Sequence, residues 1–460
     1  MTSRAAIDDA IASLKDRFGE RLSLATPVRE QHGKDFSYHQ PFPPDAVVFA
    51  QSADEVRAVV ATCARHSVPV IPYGTGTSLE GQVAAVKGGI CVDVSGMKAI
   101  KAVHQEDMDA VVEPGVTRKE LNAYLRDTGL FFSVDPGADA SIGGMTSTRA
   151  SGTNTVRYGT MRENVLTLEV VLANGEVIST GTRARKSATG YDLTKLFVGA
   201  EGTLGIITAI TVRLHPVPEA ISAAICSFAS LKGAVDTVIQ TIQSAVPVAR
   251  IELLDEVSVE ATNAYSKLGL KVAPTVFLEF HGSEASVREQ AKGVQAIAME
   301  NGGSDFSWST RQEDRERLWK ARHESAFATR MMRPGCGTWV TDACVPISRL
   351  TESILAARQD IDRSFLKGKI IGHVGDGNFH VAYLVMPDSA DELAEARRLT
   401  DRVVERAIAA GGTASGEHGV GYGKLAYMER EHGKAMGAMR AIKSALDPHN
   451  IMNPGKIVAW

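Results

Sequence analysis

VDPGADASIGGMTSTRASGTNTVRYGTM, residues 134–161, is punctuated by single glycines among Ser, Thr and Asn and follows neither a helical nor an alternating period. A connection this long inside an ordered domain is a functional loop or a disordered one. Single glycines between ordered elements, rather than a low-complexity run, favour a loop that wraps a ligand. Its unhindered backbone N–H groups suit a pyrophosphate. GTGTSLEG, residues 74–81, offers the same chemistry at the end of a strand. Neither segment matches GxGxxG at a strand-to-helix turn or the Walker loop, which argues against a Rossmann nicotinamide site.

Outward from these loops the chain reads as α/β. Strands are expected over residues 46–50, 68–73, 88–94 and 110–113, with helices ending near His66 and beginning at Thr117. Residues 21–44 read as irregular. Residues 165–172 and 176–179 form a hairpin about Asn174-Gly175. LFVGAEGTLGIITAITVRLHP, residues 196–216, is a glycine turn followed by a β-branched strand, and Glu201 is placed to cap the turn or face the ligand. From residue 219 the pattern changes to strand, helix, strand, helix, strand, helix. This predicts an α+β domain built from two βαβ units of a split, ferredoxin-like type. A charged helix over 311–331, a strand over 339–345 and helices over 347–365, 388–410 and the tail complete it.

KIIGHVGDGNFHVAYLVM, residues 369–386, sets two alternating apolar runs about Asp376-Gly377. A two-residue turn there pairs Gly375 with Asn378, Val374 with Phe379 and His373 with His380, placing the imidazoles opposite each other with Cβ atoms about 5 Å apart. That is chelating distance for one divalent metal. Glu417, in the glycine-rich GGTASGEHGVG, offers a third ligand beside His418, and two histidines with a carboxylate suit Zn, Mn or Fe.

Composition narrows the function classes. With 50 basic against 54 acidic residues, a net charge of −4 and 44% hydrophobic residues, the 460-residue chain reads as a globular protein with no nucleic-acid partner implied. No apolar run approaches eighteen residues, and the first twenty lack a signal-peptide core, so the expectation is the cytoplasm. Peripheral docking on the inner face of a membrane and a homodimer stay open. Cys63, Cys91, Cys226, Cys336 and Cys344 are scattered, odd in number and never paired as CxxC, which argues against disulfides, structural zinc and iron–sulfur clusters.

GTGTSLEG, DPGADASIGGM, ASGTNTVRYGTM, LFVGAEGTLGIIT, HVGDGNFH, GEHGVG and LDPHNIMNPGK, in this order, resemble the FAD-dependent 2-hydroxyacid dehydrogenases of the vanillyl-alcohol-oxidase-like superfamily, within it the cytochrome-type D-lactate dehydrogenase branch. The resemblance runs from about residue 28 to the C-terminus. It implies a lead-in over 1–40, a two-lobed FAD-binding domain over 41–218, a ferredoxin-like substrate or cap domain with the metal site over 219–430, and a C-terminal segment, 431–460, that returns to the FAD domain.

Carried over by motif, Tyr73, Gly74, Thr75, Gly76, Thr77, Ser78, Pro136, Gly137, Ser141, Ile142, Gly143 and Gly144 are expected to hold the pyrophosphate. Gly152, Thr153, Asn154, Tyr158 and Gly159 are expected to line the flavin, Glu201, Gly205 and Ile206 to lie by the adenosine or ring edge, and Asn453 to approach from the tail. His373, His380 and Glu417 match the metal ligands, His418 the base and Arg322 the carboxylate-binding arginine. Covalent attachment in this superfamily often uses a histidine in the first glycine loop. GTGTS has none, so FAD is expected to be non-covalent.

The implied reaction moves the C2 hydrogen of a D-2-hydroxyacid to the flavin as hydride. Relatives acting on a second carboxylate carry a threonine and a lysine where this chain has Ala326 and Val340, and an asparagine where it has Ala382. That favours a short acid, D-lactate above glycolate or 2-hydroxyglutarate. With no haem motif, electrons must leave to a separate quinone, cytochrome c or flavoprotein. The rival reading is a flavin-free, metal-dependent hydrolase in which Glu417 or His418 activates a water.

Overall fold

A computed structural model describes residues 2–323, 328–329 and 331–459. It divides into two compact units, the first comprising Met1–Ser151, Gly159–Val217 and Glu417–Trp460, the second Gly152–Tyr158 and Pro218–Gly416.

Among the described residues the first unit contains a four-stranded, a five-stranded and a two-stranded sheet. Leu22–Ser23 (β1), Ala46–Phe49 (β2), Val70–Tyr73 (β3) and Ile90–Asp93 (β4) order as β1-β2-β4-β3, with β2, β4 and β3 mutually parallel. Parallel strands need a crossover connection, and helix Ala53–His66 supplies the one from β2 to β3, which lie on either side of β4. Its Val56, Val59, Val60 and Cys63 recur at three and four residues, the spacing that puts them on one buried face. Ile100–His104 (β5), Asp109–Val112 (β6), Leu130–Phe131 (β7), Val165–Val171 (β8), Val177–Ser179 (β9), Ile206–Arg213 (β10) and His215–Pro216 (β11) follow. Five of them form an antiparallel sheet, β5-β6-β10-β8-β9, and β7 pairs with β11. The C-terminal tail rejoins the first sheet at β3, where Val70 donates to the Ile451 carbonyl at 2.7 Å and accepts from Asn453 at 2.8 Å.

The second unit is one sheet with helices. Ala220–Phe228 (β12), Val248–Leu254 (β13), Thr275–Gly282 (β14), Gly303–Ser309 (β15), Gly337–Val340 (β16), Ala343–Cys344 (β17), Lys367–Gly372 (β18) and Asn378–Val385 (β19) run antiparallel in the order β15-β12-β14-β13-β18-β19-β16, with β17 on β19. The first four strands in chain order lie 4-1-3-2, the ferredoxin-like arrangement expected from the alternating pattern. Four helices cover one face. Leu231, Ala234, Val235 and Val238; Val287, Ala291, Val294 and Ala298; Leu350, Ile354, Ala357 and Ile361; and Ala396, Leu399, Val403 and Ala407 all repeat at three and four residues and meet Ile251, Leu253, Leu278, Phe280, Ile370, Val381 and Tyr383 of the sheet.

Several expectations are corrected. The 134–161 loop contains short helices, Ile142–Thr148 and Thr155–Tyr158, and residues 21–44 contain helix Thr26–His32. Strand β5 and helix Leu425–His432 were not anticipated. The charged helix covers Gln312–His323, and its expected continuation passes through residues outside those described, Ala326 among them.

The largest correction is the register of the His hairpin. Ile371, not His373, faces His380, and Lys369 faces Ala382. The turn is longer than two residues because Val374–Asp376 forms a 3-10 turn closed by Gly377 at φ +80°. A Cβ on Gly377 would lie 2.1 Å from the Val345 carbonyl oxygen, so only glycine fits where this turn passes β17.

Candidate active site

The strands of the second unit alternate between two faces, and the face away from the four helices is polar. Glu252 and Leu254 share it on β13, Lys369 and Ile371 on β18, His380 and Ala382 on β19. His373 follows β18 on the same side. With the corrected register it lies diagonal to His380, and the rings still meet edge to face with centroids 5.5 Å apart.

Helix Gln312–His323 lies against this face through Trp319, which packs with Leu254, Phe277 and Ile371. Three residues on, one helical turn along the same side, Arg322 reaches Glu252. Its Nε and Nη2 donate to Oε2 at 2.8 and 2.6 Å, while Oε1 accepts from His373 Nδ1 at 2.7 Å. Burial alone would push the Glu252 carboxyl up, but the charge of Arg322 and the His373 contact outweigh it and hold the group below its ordinary value. His380 Nδ1 lies 3.1 Å from the Thr341 carbonyl. In both histidines Nδ1 therefore carries the proton, and Nε2 is the unprotonated nitrogen, the one of the two that a metal can take. Backbone carbonyls and carboxylates orient metal-binding histidines in the same way.

A second chain of polar contacts crosses the same face. Tyr158 OH meets His281 Nδ1 at 2.7 Å, His281 Nε2 meets Glu279 Oε1 at 2.8 Å, and Glu279 is 3.6 Å from Arg250. Arg250 donates to Asn154 Oδ1 at 2.9 Å and stacks its guanidinium 4.7 Å from the Trp319 ring centre. Gly152, Thr153, Asn154 and Tyr158 thus belong to the second unit.

The remaining FAD candidates lie in the first unit. Tyr73 ends β3, and Gly74, Thr75, Gly76, Thr77 and Ser78 continue as a loop. Ser141 N donates to Thr75 Oγ1 at 3.4 Å, and Ser141 Oγ caps helix Ile142–Thr148 by accepting from Gly144 N. A Cβ on Gly74 would stand 2.6 Å from Ser141 Oγ, and one on Gly143 within 3 Å of Pro114. The two glycine loops therefore come together at Gly74-Thr75 and Ser141, with Pro136 and Gly137 leading into the second, and their glycines carry no side chains to obstruct the backbone amides that suit a pyrophosphate. These residues fit FAD. Gly205 and Ile206 open β10, Gly159 lies between two short helices, and Asn453 donates to the Gln82 and Glu201 carbonyls at 3.0 and 2.7 Å. The Glu201 carboxylate accepts from Val420 N and Gly421 N at 2.6 and 2.8 Å, and burial raises it to about 7. That carboxylate anchors the returning tail.

Glu417 accepts from Ser151 Oγ at 2.6 Å, and His418 Nδ1 lies 3.7 Å from Glu80. Burial would raise the Glu80 carboxyl, yet Lys424 at 3.0 Å, His39 and His418 draw it down to about 2.

Sequence reasoning missed Glu252, Glu279, His281 and Arg250. The available signal was ARIELL and FLEFHG, where charged or basic residues recur every second position of otherwise apolar strands.

A model of the FAD binding domain matches residues 44–181, and one of the FAD linked oxidases, C-terminal domain, matches residues 217–457. The chain is 52% identical to a probable mitochondrial D-lactate dehydrogenase of Danio rerio, over 99% of this chain and 92% of the relative. It is 48% identical to a mitochondrial D-lactate dehydrogenase (cytochrome) of Arabidopsis thaliana, over 98% and 80%. Among solved structures, 4-ethylphenol oxidase from Gulosibacter chungangensis superposes with a TM-score of 0.81 at 18% identity, covering 100% of this chain and 98% of that one. p-Cresol methylhydroxylase gives 0.81 at 18%, covering 99% and 97%. These two establish the fold. The chain belongs to the FAD-linked oxidases, in the branch of the flavin-dependent D-lactate dehydrogenases.

Proposed function

We propose that this chain is an FAD- and metal-dependent dehydrogenase that oxidises D-lactate to its 2-oxoacid and passes the electrons to a separate acceptor. The observation that carries the reading is the gathering of Arg322, His373 and His380 on one face of one sheet, in a chain whose relatives bear D-lactate dehydrogenase names. FAD, when bound, supplies the acceptor for the hydride leaving C2, and a divalent metal supplies a Lewis acid.

In this reading the first unit holds FAD non-covalently, through the loops at 74–78 and 136–144, and the second receives the substrate. Arg322 binds the substrate carboxylate through its planar fork and so holds C2 in place. His373 and His380, each directed by a bond at Nδ1, would hold the metal together with Glu417, as Zn, Mn or Fe. His418 takes the hydroxyl proton on its imidazole, a group able to hold a proton near neutral pH.

Val340 and Ala382 are register partners on β16 and β19, on the same side as His380. Neither of these two side chains offers a second carboxylate a hydrogen bond, and a carboxylate left unpaired there costs several kcal/mol to desolvate. The methyl group of lactate meets no such penalty. The flavin-free hydrolase falls with the FAD-binding family.

Among the described residues no helix is long and apolar enough to cross a membrane. The relatives' names say mitochondrial, which differs from the cytoplasmic expectation for this chain. A quinone, cytochrome c or flavoprotein as acceptor, peripheral docking and a homodimer belong to the same proposal.

The test is an anaerobic visible spectrum of the FAD-loaded protein. D-Lactate is expected to bleach the flavin band, L-lactate and D-2-hydroxyglutarate to leave it, and a chelator to abolish the bleaching. FAD-loaded protein that D-lactate does not reduce would sink the reading.

A further inference from the structure

We infer that Glu252 is the positioning residue that couples metal binding to substrate binding, by holding His373 and Arg322 with one carboxylate. The inference rests on the roles just proposed for those two residues.

Glu252 lies on β13, a central strand of the sheet, and is 1% exposed. Its two oxygens divide the work, Oε1 accepting a hydrogen bond from His373 Nδ1–H and Oε2 accepting from Nε and Nη2 of Arg322. The first contact fixes the tautomer and leaves Nε2 as the unprotonated nitrogen. The second fixes the plane of the guanidinium, so that its opposite edge is presented in one orientation. A rigid strand thus sets the separation of a metal ligand and a carboxylate clasp by the width of a single carboxylate.

A role in stability alone explains this poorly. Well-packed apolar residues commonly match or exceed a buried ion pair in stability, and Leu254, Phe277 and Ile371 show that this face accepts them nearby. An apolar residue at 252 would leave the Arg322 charge and the His373 proton without this acceptor. The arrangement makes sense where both partners must be kept polar and aimed.

The test uses the FAD-loaded holoenzyme with Glu252→Gln, which keeps the shape but offers only one acceptor oxygen to two donors. Mn²⁺ affinity after chelation, read by the EPR signal of free Mn²⁺, is expected to weaken about 10–100-fold, and KM for D-lactate to rise by a similar factor. The flavin spectrum and the melting temperature report the fold. ¹⁵N-histidine NMR of the metal-free protein gives a separate readout: His373 is Nδ1-protonated in the wild type and loses that preference in Glu252→Gln.

Should Glu252→Gln fail to fold, Glu252→Asp retains the charge but cannot span both partners, and either Mn²⁺ affinity or KM must then shift at least tenfold. Mn²⁺ affinity, KM and the His373 tautomer all within twofold of wild type would overturn the inference. A wild type that binds no Mn²⁺ and is not reduced by D-lactate would instead overturn the proposed function, with the tautomer still deciding the role of Glu252.

Discussion

The two faces of the sheet in the second unit are made by the same strands and differ in one respect, the parity of their residues. On one side Ile251, Leu253, Ile370, Val381 and Tyr383 lie under four helices. On the other Glu252, Lys369, His373 and His380 carry charge and proton-bearing nitrogens at positions just as buried or nearly so. The first face holds the sheet together through apolar contact, which is non-directional and tolerant of substitution. The second spends stability on desolvating polar groups and recovers it through directed bonds, a trade that makes sense where geometry matters more than adhesion. Side-chain alternation with period two allows both on one backbone.

The comparison breaks most visibly at His380. Replacing it with Ala removes one of two adjacent imidazoles and is expected to lower the rate of flavin reduction by D-lactate about a thousandfold, since metal assistance is worth several kcal/mol. The melting temperature should move little, because the polar face contributes little adhesion. Stopped-flow reduction of the FAD-loaded variant checks this, and a loss below tenfold would place the chemistry elsewhere.

Lys369 sharpens the contrast through pH. It is 3% exposed, and burial lowers its pKa from 10.5 to about 7, Asp255 opposing the shift and Arg322 adding to it. Between those values the unfolded chain binds a proton that the folded chain does not, so wild-type stability rises with pH across the window. Lys369→Met removes this titration. Its stability advantage is expected to be largest below pH 7, on the order of 2–3 kcal/mol, and to shrink toward pH 10.5. Urea denaturation at pH 6 and pH 9 measures it, and an advantage that grows with pH has the wrong sign for a buried lysine.

Much of this was legible in the sequence, for reasons that differ by face. The helices over the apolar side announce themselves through local three-and-four spacing, and the 4-1-3-2 strand order follows from the alternation of elements. The polar face was legible only where a residue sat in a motif, as His373 and His380 do. Arg322 reads as one more cation in a charged helix, because the partner that defines it, Glu252, lies seventy residues away. The hairpin register failed for a similar reason. Asp376-Gly377 signals a turn, but its length is set by Gly375 backing onto Ile251 and Val156 and by Gly377 passing the Val345 carbonyl. Such contacts leave no local trace.

The smallest expected effect lies on the apolar face. Tyr383 is 0% exposed on β19, opposite Gly368 of β18, and its ring packs among Ile361, Ile370 and Val381. Its hydroxyl has no hydrogen-bond partner among the described residues, and burial raises its pKa well above the ordinary tyrosine value. An unsatisfied buried hydroxyl is a cost, so Tyr383→Phe, which keeps the ring and deletes only the oxygen, is expected to stabilise the protein by about 1 kcal/mol. Because Tyr383 points away from His380 and Ala382, kcat and KM for D-lactate should stay within twofold. A gain in stability with unchanged kinetics would show the two faces to be energetically separate. Destabilisation, or a change in KM, would mean that the hydroxyl serves the polar side through the strand, and the division by parity would no longer hold.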